Sequence, residues 1–262
     1  MAWQTILVER EGGVVSITLN RPEKKNAGNG QLWRELRAAL SELAYERDAR
    51  VLVLTGAGGA FSSGADITDP NGLSGDPEDT GLVRMRFMHE AMLALHEFPK
   101  PTIAKIRGVA TGAGLSLALG CDLTVASDGA RLSGIFHRRA LSVDGGASWL
   151  LPRLVGLHKA KEIVYFAEMY GAEEAASMGL INRVVPDAEL DAFVEDWARR
   201  LAEGPTVAFS MTKKLLDGSA SVTMAQALED EARCQVVNFY TDDTGEALSA
   251  FAEKRQPHFT GH

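Results

Sequence analysis

The segment SVDGGASWLLPR, residues 142–153, holds a single carboxylate, Asp144, set between Val143 and two glycines and followed by an apolar run. Two kinds of chemistry are open to it. Asp before Gly is good turn and helix-capping chemistry, and a carboxylate in that use accepts nearby backbone N–H groups, which lower its pKa. Proton transfer is the other. Leu141, Val143, Trp149 and Leu150 are apolar neighbours, and desolvation raises a carboxyl pKa towards the working pH, where a general base is most effective. The two roles pull the pKa in opposite directions and are difficult to combine.

Two further stretches are built to meet a ligand with backbone. VLVLTGAGGAFSSGADI (51–67) and TIAKIRGVATGAGLSLALG (102–120) each run from a buried-strand pattern through small residues into a helix start. Small side chains let a ligand approach the chain closely, and the first N–H groups of a helix have no internal partner. Two such donors aimed at one point make an oxyanion hole for an enolate or tetrahedral oxygen. Taken singly, each turn reads equally as close packing of a helix on a sheet. A dinucleotide site is a weaker reading: after Gly112 and Gly114, Leu117 stands where the third glycine of that fingerprint belongs.

Other side chains offer less. His137, Arg138 and Arg139 follow Phe136 and could touch a polar ligand group or a phosphate, though a solvated helix face is the simpler reading. His89 and His96 are seven apart, too far for a metal pair without further ligands, and no metal is expected. Ser62 and Ser63 lack a nucleophile-elbow arrangement. Cys121 and Cys234 have no paired spacing, so neither a disulfide framework nor a zinc site is implied.

The elements that must position these residues follow from periodicity. TILVER and GVVSITL form a hairpin across Glu11-Gly12-Gly13; Leu32, Leu36, Leu40 and Leu43 mark a helix over 31–45 with Asn29 as its cap. VLVLTG is a continuous apolar run, as in a strand buried on both faces. A polar stretch, 68–80, reads as a surface loop able to shape a nearby ligand pocket, and a helix over 82–98 stops at Pro99 and Pro101. TIAKIRG, CDLTVAS and RLSG are further strands. Helical patterns then cover 159–166, 173–178, 188–202, 206–216, 224–239 and 245–255. Alternation of this kind predicts an α/β core over residues 1–186 and a C-terminal helical region over 187–262, with no repeat of fixed period.

The chain of 262 residues is 45% hydrophobic, enough for a substantial core. Its formal net charge of −8 argues against nucleic acid or an anionic membrane as main partner. No apolar run reaches the length of a membrane span, and MAWQTILVEREGG lacks the basic start of a targeting segment, so a cytoplasmic location is expected.

In their order along the chain, LNRPEKKNA (19–27), FSSGADI (61–67), KPTIAKIRGVATGAGLSLALGCDL (100–123), DGGASWLLPRLVG (144–156), EAASMGLINRVVP (174–186) and AFAEKRQPHF (250–259) resemble the crotonase, or enoyl-CoA hydratase/isomerase, superfamily. The resemblance implies a spiral core of ββα turns, C-terminal helices that build a homotrimer or a dimer of trimers, and an acyl-CoA thioester as substrate, with no permanently bound cofactor. By position it implies oxyanion-hole donors at the backbone N–H groups of Ala65 and Ala113. Coenzyme A would contact Lys24, Asn26, Ala65, Asp66 and Ile67, and Lys254 and Phe259, the last two sometimes from a neighbouring subunit.

The departures from that family decide the chemistry. Its hydratases use two glutamates, and the matching positions here are Ser116 and Phe136. A serine without a base of its own, or a phenylalanine, cannot replace a carboxylate. Asp144 resembles the catalytic aspartate of family members that move double bonds, and the nucleophilic aspartate of the aryl-CoA dehalogenases. The expectation is double-bond isomerisation by Asp144. Hydration, dehalogenation, thioester hydrolysis, or a chain that binds acyl-CoA without turning it over are the alternatives.

Overall fold

A computed structural model describes residues 3–69 and 78–262; most of the loop expected to shape the acyl pocket, residues 70–77, lies outside them. Strands β1 (Ile6–Glu11) and β2 (Val14–Leu19) form the expected antiparallel hairpin. Helix α1 (Gly30–Tyr45) follows, and Asn29 caps it by accepting the Leu32 N–H at 3.0 Å. Then come β3 (Val51–Gly56), α2 (Gly81–His96), β4 (Thr102–Ile106), β5 (Val109–Thr111), α3 (Ala113–Leu119), β6 (Leu123–Ser127) and β7 (Arg131–Ser133). The rest of the chain holds α4 (Ala147–Phe166), β8 (Tyr170–Gly171), α5 (Ala172–Ser177), β9 (Arg183–Val185), α6 (Leu190–Ala202), α7 (Thr206–Gly218), α8 (Met224–Phe239) and α9 (Asp242–Glu253).

The larger sheet has the order β1-β2-β3-β4-β6-β9, parallel from β2 onward, and the smaller has the order β5-β7-β8. Strand β4 leads into β5 and then α3, and β6 leads into β7 and on to α4. Isolated parallel bridges, Gly28 to Ala65 and Ser62 to Ala110, extend the second sheet into the earlier turns. The result is a spiral of strand, short strand and helix, whose turns differ too much in length to leave a fixed period in the sequence.

The unbroken apolar runs are explained by burial on both faces. Leu52, Leu54, Ala104 and Ile106 point into the main core with α1 and α2, while Val51, Val53, Ile103 and Val125 face α6 through Leu190, Val194, Ala198 and Ala202. Helix α6, placed in the C-terminal region by sequence, is thus part of the core packing. Helices α7 and α8 bury no residue fully, and Leu216, Met224, Phe239, Leu248 and Phe251 on α7 to α9 are exposed.

One element departs from its expected bounds. The helix read over 159–166 begins twelve residues earlier, at Ala147, and is two segments joined at Gly156, which is non-helical with φ 77° and ψ 159°. Pro152 and Gly156 interrupt the 3.6-residue pattern and hide its first half.

Candidate active site

Both glycine turns and the Asp144 segment end at one cavity of about 380 Å³, lined by Lys24, Ala65, Asp66, Ile67, Ala113 and Asp144 among others. At the first turn, Gly28 donates its N–H to the Gly64 carbonyl at 2.7 Å and accepts the Asp66 N–H at 2.9 Å. Both bonds flank Ala65. Successive N–H groups of extended backbone point to opposite sides, so the Ala65 N–H faces away from Gly28. At the second turn Ala113 is the first residue of α3, where a helix N–H has no intrahelical partner. The two turns abut: a Cβ added to Gly64 would lie 2.8 Å from the Thr111 carbonyl oxygen and 3.4 Å from the Ala113 nitrogen. Glycine at 64, with φ +102°, is what allows that approach.

Asp144 does not cap α4. The helix begins behind Gly146 with no side-chain cap, and one carboxylate oxygen of Asp144, Oδ1, is buried with no hydrogen-bond partner. Burial raises its pKa from the ordinary 3.8 to about 6, against an opposing pull from the charge of His89 on α2. The segment is held by its backbone instead. The buried Ser116 hydroxyl, at the position of a family glutamate, donates to the Asp144 carbonyl oxygen at 2.9 Å. A Cβ on Gly145 would meet the Met92 methyl at 2.9 Å and the Ser116 Cβ at 3.0 Å, so α2, α3 and this segment are in tight contact. Phe136, at the other glutamate position, is buried in the wall of the cavity.

The remaining expected residues divide. Asp66 lines the cavity, but its carboxylate is engaged by Arg21 at 2.9 Å and by the Thr68 N–H and hydroxyl. Burial pushes its pKa up, yet the bonds from Thr68 and Arg21 outweigh this and hold it below the usual range. Its N–H is also engaged, by Gly28, and its carbonyl accepts the Asp69 N–H at 3.4 Å, so what it offers the cavity is a fixed wall. Lys24 reaches Thr68 at 3.4 Å, and Ile67 is two-thirds exposed at the mouth. Asn26, expected at coenzyme A, is instead fully buried: it accepts the Arg21 N–H and donates to the carbonyls of Ala57 and Ala60. Its task is to tie the first loop to the glycine turn.

Lys254 and Phe259 are not brought to this cavity by their own chain. Lys254 ends α9 in a left-handed conformation, and the Phe259 carbonyl accepts from Arg50, while Asp243 accepts the N–H groups of Thr260 and Gly261. The tail thereby folds back beside Thr206 and Arg50. Sequence reasoning missed the Arg21–Asp66 pair and the Ser116 tether, both of which depend on long-range contacts. Among the described residues no group of three or more metal-ligating side chains is gathered, and no helix is long and apolar enough to cross a membrane.

Known proteins match this chain along nearly its whole length. A "Probable enoyl-CoA hydratase" of Rhodobacter capsulatus is 41% identical over the whole of both chains. The 1,2-epoxyphenylacetyl-CoA isomerase of Escherichia coli K12 is 36% identical over 98% of each chain. The crystal structure of an enoyl-CoA hydratase from Bacillus anthracis superposes with a TM-score of 0.93 at 32% identity, covering 99% of this chain and all of that one. The family model described as enoyl-CoA hydratase/isomerase matches residues 9–262. The chain belongs to the enoyl-CoA hydratase/isomerase, or crotonase, family.

Proposed function

We propose that this chain isomerises the double bond of an enoyl-CoA thioester, with Asp144 as its single proton carrier. The observation that supports this most is the state of that carboxylate. Of the two acidic side chains lining the cavity, Asp66 is tied to Arg21, and Asp144 stands unpartnered, with a pKa near the working range, beside the Ala65 and Ala113 N–H groups. The thioester oxygen accepts from those two N–H groups. Asp144 removes a proton from one carbon, the dienolate charge rests on the oxygen, and the resulting acid returns the proton two carbons away. Lys24, with the backbone of Ala65, Asp66 and Ile67, lines the path proposed for coenzyme A. The exposed apolar faces of α7 to α9 fit assembly as a homotrimer or dimer of trimers, which would bring Lys254 and Phe259 of one copy towards another. Light scattering should then report three or six chains per particle; a monomer would remove those two residues from the site.

Incubation with 3-enoyl and 2-enoyl thioesters in deuterated water, followed by NMR, tests the reaction. Interconversion with deuterium at the α and γ carbons is expected. A 3-hydroxyacyl product formed at comparable rate would replace this reading with hydration. Covalent transfer of a solvent oxygen isotope into Asp144 would replace it with nucleophilic chemistry at that carboxylate. Tight coenzyme A binding with no exchange across a broad panel would leave a binding protein.

The Ser116 tether carries its own expectation. Ser116→Ala should lower kcat about tenfold with KM little changed, because one buried hydrogen bond of about 1 kcal/mol stops fixing the Asp144 segment. Ser116→Thr, which keeps the hydroxyl, should recover most of it. Wild-type kcat in the alanine variant would mean that the contact is packing alone.

A further inference from the structure

The cavity has a direction, and one of its cations lies at an end that coenzyme A does not need. Lys24 and Thr68 are bonded to each other at one end. Asp66 and Ala65 come next, then Gly64 against Ala113. Beyond the glycine turns, a Cβ on Gly112 would lie 3.4 Å from the Ile135 side chain and 4.0 Å from the Phe136 ring. Ile135 and Phe136 begin a short 3-10 turn, residues 135–139, that closes with Ala140 in the left-handed region, and Arg139, Leu141 and Asp144 complete the wall there.

Arg139 is exposed, and among the described residues it makes no hydrogen bond or ion pair. The opposing pull on the Asp144 carboxyl comes from His89 on α2. A guanidinium that lines a cavity yet serves no residue of the protein is available to a planar anion, which it binds through paired N–H donors. The surrounding Ile135, Phe136 and Leu141 supply the apolar wall for the carbons between.

We propose that Arg139 selects acyl-CoA substrates whose acyl chain ends in a carboxylate. The inference rests on the reading above, in which the thioester oxygen sits between Ala65 and Ala113, and adds the substrate class. With the oxygen held there and the reacting carbons at Asp144, the far end of the acyl chain is directed to the Ile135–Leu141 wall and to Arg139. An anion at that end gains a charged hydrogen bond, and a neutral chain gains only apolar contact.

Binding separates this claim from catalysis, because saturated thioesters bind without reacting. Calorimetry would compare hexanedioyl-CoA, hexanoyl-CoA and free coenzyme A on wild type, Arg139→Gln and Arg139→Lys. Wild type should bind hexanedioyl-CoA about ten- to a hundredfold tighter than hexanoyl-CoA. Arg139→Gln should erase that preference with hexanoyl-CoA affinity unchanged, and Arg139→Lys should keep part of it. Equal affinity of wild type for the two thioesters overturns the inference and leaves the proposed reaction standing. Equal weakening of all three ligands by Arg139→Gln also overturns it, assigning the arginine to a coenzyme A phosphate. No binding of coenzyme A by wild type overturns the inference and the proposed function together.

Discussion

Asp144→Asn should abolish isomerisation and at the same time make the protein more stable at neutral pH. Replacing a general acid–base group removes about 10² to 10⁴ in rate, and the asparagine amide can neither take nor return the proton, so the upper part of that range is expected. The stability gain has a separate cause. The Asp144 carboxyl holds its proton more tightly in the folded chain, with a pKa of about 6, than at its ordinary 3.8. Its ionisation therefore favours unfolding as pH rises from about 4 to 6, and above that range the wild type carries the full penalty. An amide of the same shape does not ionise. Denaturant unfolding at pH 8 should place the variant about 1–2 kcal/mol above wild type, with the shift discounted for partial exposure, and the difference should vanish near pH 3. In the wild type, kcat/KM for a 3-enoyl thioester should climb tenfold per pH unit up to about 6 and then level, since only the ionised carboxylate accepts the α proton. Unchanged turnover in the variant would end the catalytic assignment; lowered activity with no gain in stability would mean that Asp144 has a partner in solution.

Much of this was legible in the sequence because the signals were local. Leu32, Leu36, Leu40 and Leu43 mark one face of α1, and the unbroken VLVLTG and TIAKI runs report strands covered on both sides. Asn29 announces its cap by residue type alone. The site was legible to the extent that backbone builds it, since a strand, small residues and a helix start prescribe free N–H groups wherever they fall. What depends on the meeting of distant segments was not. Asn26 lies in a loop that reads as ligand-facing, yet carbonyls more than thirty residues away claim its amide. Ser116 looks like the loss of a glutamate, and only its distance to the Asp144 carbonyl, 28 residues on, gives it a task. Asp144 illustrates both sides: its residue type allowed capping or proton transfer, and the choice depended on where Gly145 and Gly146 turn the chain. Those glycines let the helix start without a side-chain cap, which leaves the carboxylate to line the cavity shared with the two glycine turns.

Ala113→Pro should lower kcat by about 10² to 10³ with the fold intact, and it is the sharpest test of the backbone half of the site. Ala113 is the first residue of α3, the position where proline fits a helix best, since its missing N–H has no intrahelical acceptor to lose. Here that N–H is the donor proposed for the thioester oxygen, so the substitution removes a catalytic group while respecting the helix. Gly64→Ala approaches the same point from the other turn. Its new methyl would sit 2.8 Å from the Thr111 carbonyl oxygen and beside the Ala113 nitrogen, on a backbone with φ +102° that strains any side chain. It should lose comparable activity and, unlike the proline variant, also unfold at lower denaturant concentration. Circular dichroism and coenzyme A affinity separate the two effects. If the proline variant turned over substrate as fast as wild type, the oxygen would have to be held elsewhere, and Asp144 would be acting without the electrostatic partner that makes an enolate accessible at neutral pH.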